Sequence, residues 1–214
     1  MINKKENIIT YLNEVIKEPK CELYYNKDYE LVLKVMLSAQ TTDKKVNYVT
    51  KELFKEYNSL NKLKDLSINQ IEDKIKELGL YKNKAKYFYN IVNILSKKNY
   101  DLSNREFLES LSGIGRKSAN VILIELYNKP LIAVDTHVIR VSNRLKLVNT
   151  KDINKIENKL YKYFTKEEIL YNSIGHRLVL FGRYHCMANK PKCLECKIKC
   201  YCKYYEEKRK RNEK

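Results

Sequence analysis

Residues 108–144 read LESLSGIGRKSANVILIELYNKPLIAVDTHVIRVSNR, and the fold is decided there. The chain has 5 glycines, so Gly113 and Gly115 in one turn are placed rather than incidental. Upstream, Phe107, Leu108 and Leu111 fit a short helix. Downstream, Ala119, Ile122, Leu123 and Leu126 recur at i, i+3, i+4 and i+7, the apolar stripe of a second helix. The unit is therefore helix, glycine turn, helix. Glycine reaches positive φ without steric cost, which lets successive backbone N–H groups point outward together. Beside a helix N-terminus, such a turn is a phosphate site. The alternative is an ordinary helix joint with glycine as its C-cap, and the turn alone leaves both open. Lys117 falls in the first turn of the second helix, where the macrodipole disfavours a cation. It is either a solvated lysine of a basic chain or an amine held beside bound phosphate. Asp135 precedes THVIRVSNRL and reads as an N-cap, accepting bonds from N–H groups one turn in. Such a carboxylate is fixed in orientation, which suits a group that must stay anionic beside a developing cation.

Working outward, nearly every segment has a helical period. Ile8, Leu12, Val15 and Ile16 stripe a first helix that stops before Pro19. Residues 28–40 (DYELVLKVMLSAQ) are apolar enough to be buried, and Thr42 or Asp43 caps the helix after them. Ser67 with Gln70 predicts a capping box, and residues 82–98 predict a long amphipathic helix. No strand-like alternation persists, and no internal repeat or low-complexity linker interrupts the pattern. The fold class is all-α.

The 43 basic and 26 acidic residues give a net charge of +17 over 214 residues. That imbalance calls for a polyanionic partner, and nucleic acid is the commonest one. The N-terminal MINKKENIIT has no apolar run suited to a signal peptide, and no stretch is long enough to span a membrane. A cytosolic protein is expected. In a reducing compartment, 6 cysteines argue for metal rather than disulfides. Cys186, Cys193, Cys196 and Cys202 are spaced C-x6-C-x2-C-x5-C, which predicts a metal site. Spacing alone leaves tetrahedral zinc and an iron–sulfur cluster equally open. Cys200 is a rival for the fourth ligand, and the distant Cys21 reads as an isolated thiol. Arg183, Lys190, Lys192, Lys197 and Lys199 lie among these cysteines, either as solvated surface or as a loop braced against phosphates.

LSGIGRKSAN (111–120) followed by VDTHVIRVSNR (134–144) resembles the helix-hairpin-helix DNA glycosylase superfamily, and within it the endonuclease III family. LSAQTTD (37–43), GLYKNKA (79–85) and the cysteine spacing match further blocks of that family, so the resemblance runs from about residue 8 to 205. It implies two helical domains with a catalytic cleft between them. One is contiguous, about 20–130, and contains the hairpin; the other joins 1–19 to 131–214 and carries a [4Fe–4S] cluster on Cys186, Cys193, Cys196 and Cys202. The implied activity is that of a bifunctional DNA glycosylase and abasic-site lyase of base excision repair. Its substrate would be double-stranded DNA with an oxidised pyrimidine or an abasic site, met by a monomer without membrane association. By the same resemblance Lys117 is the amine that forms a Schiff base at C1′, and Asp135 is the catalytic carboxylate. Gly113, Ile114, Gly115 and Arg116 are the hairpin's DNA contacts. Gln40 and Leu80 match positions that fill or wedge the gap left by the extruded base, while by their own residue types they read equally as polar surface and core. His137, beside Asp135, reads as a helix-surface or phosphate contact. Ser112 departs from the family, whose members often carry proline there. Two other readings remain. A monofunctional glycosylase usually lacks the lysine at 117, and a non-catalytic DNA-binding module needs neither Lys117 nor Asp135.

Overall fold

The computed structural model describes residues 3–97 and 100–212. Among these, every regular element is helical, as the all-α reading expects. In chain order they are α1 (Lys4–Val15), α2 (Asp28–Leu37), α3 (Asp43–Glu56), α4 (Leu60–Lys64), α5 (Ile68–Ile75), α6 (Tyr81–Leu95), α7 (Arg105–Ser110) and α8 (Arg116–Tyr127). There follow α9 (Thr136–Arg144), α10 (Ile153–Tyr163), α11 (Lys166–Tyr171), α12 (Ile174–Tyr184), a 3-10 turn (Lys199–Tyr201) and α13 (Lys203–Asn212).

The helix starts are set by local side chains. Thr42 caps α3, its hydroxyl accepting from the Lys45 amide. Ser67 and Gln70 close both arms of the expected capping box on α5, the Gln70 amide on the serine hydroxyl and the Ser67 amide on Gln70 Oε1 at 2.8 Å. Each such cap satisfies an N–H that the helix cannot, typically for about 1 kcal/mol. The helix expected over 82–98 covers Tyr81–Leu95, and Lys98 lies outside the described residues.

The chain divides into two compact units: Cys21–Asn128, and Met1–Lys20 with Lys129–Lys214. In the first, α2 is the hub. It packs against α3, α6 and α8, and every residue but its first is buried. Leu31, Met36, Ile71, Ile75 and Phe88 fill that core. In the second unit α12 lies along α9 and against α1, burying Ile8, Leu12, Val138, Val141, Leu178 and Phe181. Burying one such side chain stabilises by about 1.5–3 kcal/mol, so each unit has the means to hold its own helices. No described helix is long and apolar enough to cross a membrane.

Candidate functional site

The glycine turn between α7 and α8 is built from the core outward. Leu111 and Ile114 are buried, and the Ile114 amide closes the turn on the Leu111 carbonyl at 3.0 Å. Gly113 between them has φ +80, and a Cβ there would stand 2.7 Å from a ring carbon of Tyr87 and 3.1 Å from Met36 Cγ. Only glycine fits both the backbone and the space. Gly115 is different: its φ of −101 suits any residue, and a Cβ there would meet open space. Nothing inside the protein requires it to be glycine. As the N-cap of α8 it offers no side chain to the first-turn amides, and Gly115, Arg116 and Lys117 are all exposed at that end of the helix, which carries partial positive charge. Arg105 steadies the hairpin from α7, donating to Asn120 Oδ1 of α8 at 2.5 Å. Arg116 and Lys117 are exposed on the first turn of α8. Ile114, expected among the hairpin's DNA contacts, has its side chain in the core and its amide committed to the turn.

Two further turns of this unit hold unusual backbones. Gln40 has φ 54 and Leu80 has φ 60, the left-handed region that β-carbons resist. Both side chains are exposed, Leu80 by 56%. A leucine so displayed on a left-handed backbone is not a core residue.

In the other unit Asp135 is the N-cap of α9. Its Oδ1 accepts from the His137 and Val138 amides, both at 2.9 Å, and its Oδ2 lies 2.8 Å from His137 Nδ1. When Nδ1 carries the proton, the carboxylate takes three donors and has no freedom to turn. His137, expected to touch phosphate, thus has its Nδ1 committed to Asp135. Gly182 of α12 allows this arrangement, because a Cβ there would come 2.7 Å from His137 Cβ.

One turn and two turns further along α9, Arg140 and Arg144 reach the cysteine loop. Arg140 donates to the Gly182 carbonyl at 2.7 Å and the Cys186 carbonyl at 3.0 Å. Arg144 donates to the Met187 carbonyl at 2.7 Å and lies 3.4 Å from Cys186 Sγ. Its guanidinium covers the Tyr204 ring at 4.0 Å. The helix that presents Asp135 is therefore anchored to the loop that presents the cysteines. Nothing in the spacing of these arginines announces partners some forty residues away, and sequence reasoning missed both.

Cys186, Cys193, Cys196 and Cys202 line one cavity together with Arg144 and Tyr204. Cys200 is exposed and lies outside that lining, whereas Cys202 is buried within it. Burial pushes the Cys196 thiol up to about 11 and raises Cys193 and Cys202 as well. Among the described residues, no three His, Cys, Asp or Glu side chains close on one point as the ligands of a single ion do. Of the basic residues in the loop, Lys197 is ion-paired with Glu14, and Lys199 donates to the Leu194 carbonyl at 3.1 Å.

Residues 33–166 match the family described as the HhH-GPD superfamily base excision DNA repair protein. Endonuclease III of Haemophilus influenzae is 42% identical over 208 residues, which cover 95% of this chain and 96% of that one. Endonuclease III of Escherichia coli strain K12 is 38% identical over 205 residues, covering 95% and 96%. A trapped covalent endonuclease III–DNA intermediate superposes with a TM-score of 0.87 at 35% identity, over 97% of this chain and 99% of that one. A non-covalent endonuclease III–DNA complex does so with a TM-score of 0.89 at 35% identity, over 98% and 100%.

Proposed function

The chain belongs to the endonuclease III family, within the HhH-GPD superfamily of base excision DNA repair proteins, and is a DNA glycosylase; from that premise we propose that it is bifunctional, excising oxidised pyrimidines and cutting the strand through a Schiff base on Lys117. The observation that carries this reading is the start of α8. An exposed primary amine sits on the first turn beside a helix start whose N-cap, Gly115, has no side chain to cap it. A phosphate held on those amides brings a deoxyribose within the reach of a lysine side chain.

The chemistry follows from the two side chains. The damaged base leaves the stack, at a cost of a few kcal/mol that is smaller where damage has weakened pairing. The Lys117 amine attacks C1′, the glycosidic bond breaks, and its electron pair leaves with the base. Asp135 stabilises the positive charge that builds on the sugar and takes the proton that the amine gives up. Opening of the C1′–O4′ bond leaves an iminium on Lys117. Loss of a C2′ proton then expels the 3′ phosphate oxygen, and hydrolysis of the imine frees the enzyme. The strand is cut on the 3′ side of the lesion.

The cofactor is a [4Fe–4S] cluster on Cys186, Cys193, Cys196 and Cys202. Support comes from a cavity lined by all four cysteines, a thiolate set suited to one ligand at each iron corner of a cubane, and from the endonuclease III relatives of this chain. When bound, such a cluster supplies four iron–thiolate bonds that fix the loop from which Arg140 and Arg144 draw their acceptors. Gln40 and Leu80 enter the duplex, and the glycine turn and Arg116 hold the backbone. The protein acts as a monomer on duplex DNA in the cytosol.

Incision tests the reading. With a duplex containing thymine glycol, base release and strand cutting should proceed together and leave a 3′ unsaturated aldehyde. Base release that leaves the abasic strand intact would mark a monofunctional glycosylase and overturn it.

A further inference from the structure

The turns that carry Gln40 and Leu80 are joined beneath the surface by a residue poorly suited to a protein interior. Lys84, one turn into α6, is 3% exposed. Its Nζ donates to the hydroxyl of Thr41, the residue after Gln40, at 2.8 Å. Its backbone N–H donates to the Leu80 carbonyl at 3.0 Å. One residue therefore bears on both turns, with its side chain on one and its main chain on the other. An ammonium has three donors. Among the described residues this one meets a single acceptor and no carboxylate, and burial pushes its ammonium below the ordinary lysine range. A buried charge with so little compensation destabilises a fold, and an apolar side chain of similar length packs there more favourably. The second link between the turns, the ion pair of Lys45 and Glu77, is half exposed and correspondingly weak. Strained, exposed backbones persist only where their surroundings hold them, and here the buried link is Lys84.

We propose that Lys84 is a positioning residue that fastens the Gln40 turn to the Leu80 turn, so that both side chains enter the duplex as one rigid element. The proposal rests on the reading that Gln40 and Leu80 enter the DNA, and it predicts a separation that core packing alone does not produce: loss of the ammonium should leave stability intact while impairing base extrusion.

The experiment compares Lys84→Met, Thr41→Val and the double variant with Gln40→Ala and Leu80→Ala, all in the full-length protein with its cofactor. Three quantities are read: the thermal midpoint, affinity for duplex containing a tetrahydrofuran abasic analogue, and the rate of unstacking of a neighbouring 2-aminopurine. Lys84→Met should melt at or above the wild-type temperature. Its unstacking should slow by about tenfold or more, as expected when inserted groups lose their alignment, with affinity changed by less than about threefold. Thr41→Val should slow unstacking equally, and the double variant should be no slower than either single one, since both remove the same bond. A lowered midpoint with a parallel loss of unstacking would make Lys84 a structural residue and overturn the proposal. Unchanged unstacking, or additive losses in the double variant, would also overturn it. Normal unstacking by Gln40→Ala and Leu80→Ala would overturn the insertion reading itself, leaving Lys84 no inserted groups to align.

Discussion

The starts of α8 and α9 are opposite solutions to the same problem. Each helix ends in amides without intrahelical partners and a partial positive charge of about half a unit. At α9 the chain fills that end with its own anion, Asp135, fixed by the His137 and Val138 amides and the His137 ring. At α8 it puts a glycine where a cap belongs and adds a lysine to an end that already disfavours cations. A filled start presents a carboxylate in one orientation, whereas an open one waits for an anion from outside. Their supports differ as well. The α8 turn rests on apolar burial and a glycine with φ +80, while α9 is tied by Arg140 and Arg144 to carbonyls of α12 and of the cysteine loop. The two starts should therefore fail for different reasons.

The widest separation between them comes from removing what supports only α9. Cys202→Ser deprives the cavity of one thiolate. The protein should lose its iron, and its midpoint should fall steeply, by the equivalent of several kcal/mol, because metal binding is folding free energy in such sites. Cys200→Ser should retain full iron content and stability. Bleaching by Cys200→Ser instead, or zinc in place of iron, would reassign the site. Next in size is Asp135→Asn. Asparagine caps as well as aspartate, so the midpoint should move by less than about 0.5 kcal/mol. Single-turnover base release should slow roughly 100- to 1000-fold, the scale of one lost electrostatic stabiliser. Equal losses of stability and rate would reduce Asp135 to a structural cap.

The glycines of the hairpin give smaller effects that separate turn from ligand. Gly113→Ala meets both the left-handed backbone and Tyr87, and should cost roughly 2–3 kcal/mol in denaturant unfolding. Gly115→Val has room, and should cost under about 1 kcal/mol of stability. It should nonetheless weaken duplex binding by about threefold to tenfold on every sequence alike, since backbone contacts to phosphate carry no base information. If Gly115→Val binds DNA normally, the open end of α8 is not a phosphate site.

What could be read from the sequence was what is local. A capping box needs two residues three apart, and Ser67 with Gln70 closes one as read. Asp135 before an apolar period, a glycine that must take positive φ, and four clustered cysteines are likewise short-range signals. Spacing alone left Cys200 and Cys202 as rivals, because which of the two is buried depends on tertiary packing. Whether Leu80 is core or displayed could not be read from GLYKNKA alone, and the burial of Ile114 between two exposed glycines depends on the packing beneath the turn. Lys84 looks like one more lysine in a basic run, and only the arrival of Thr41 from another turn makes it singular. Arg140 and Arg144 share a face by their spacing, but their acceptors lie on a loop that tertiary packing brings to them.

The central claim, that α8 supplies the amine and α9 the carboxylate, is tested most directly by reducing the reaction with borohydride on abasic duplex and mapping the trapped adduct. The sugar should be found on the peptide carrying Lys117. Lys117→Gln should bind the duplex yet yield no adduct, and Asp135→Asn should still yield one, more slowly. An adduct on another lysine or on the N-terminal amine, or one that survives Lys117→Gln undiminished, would contradict the account.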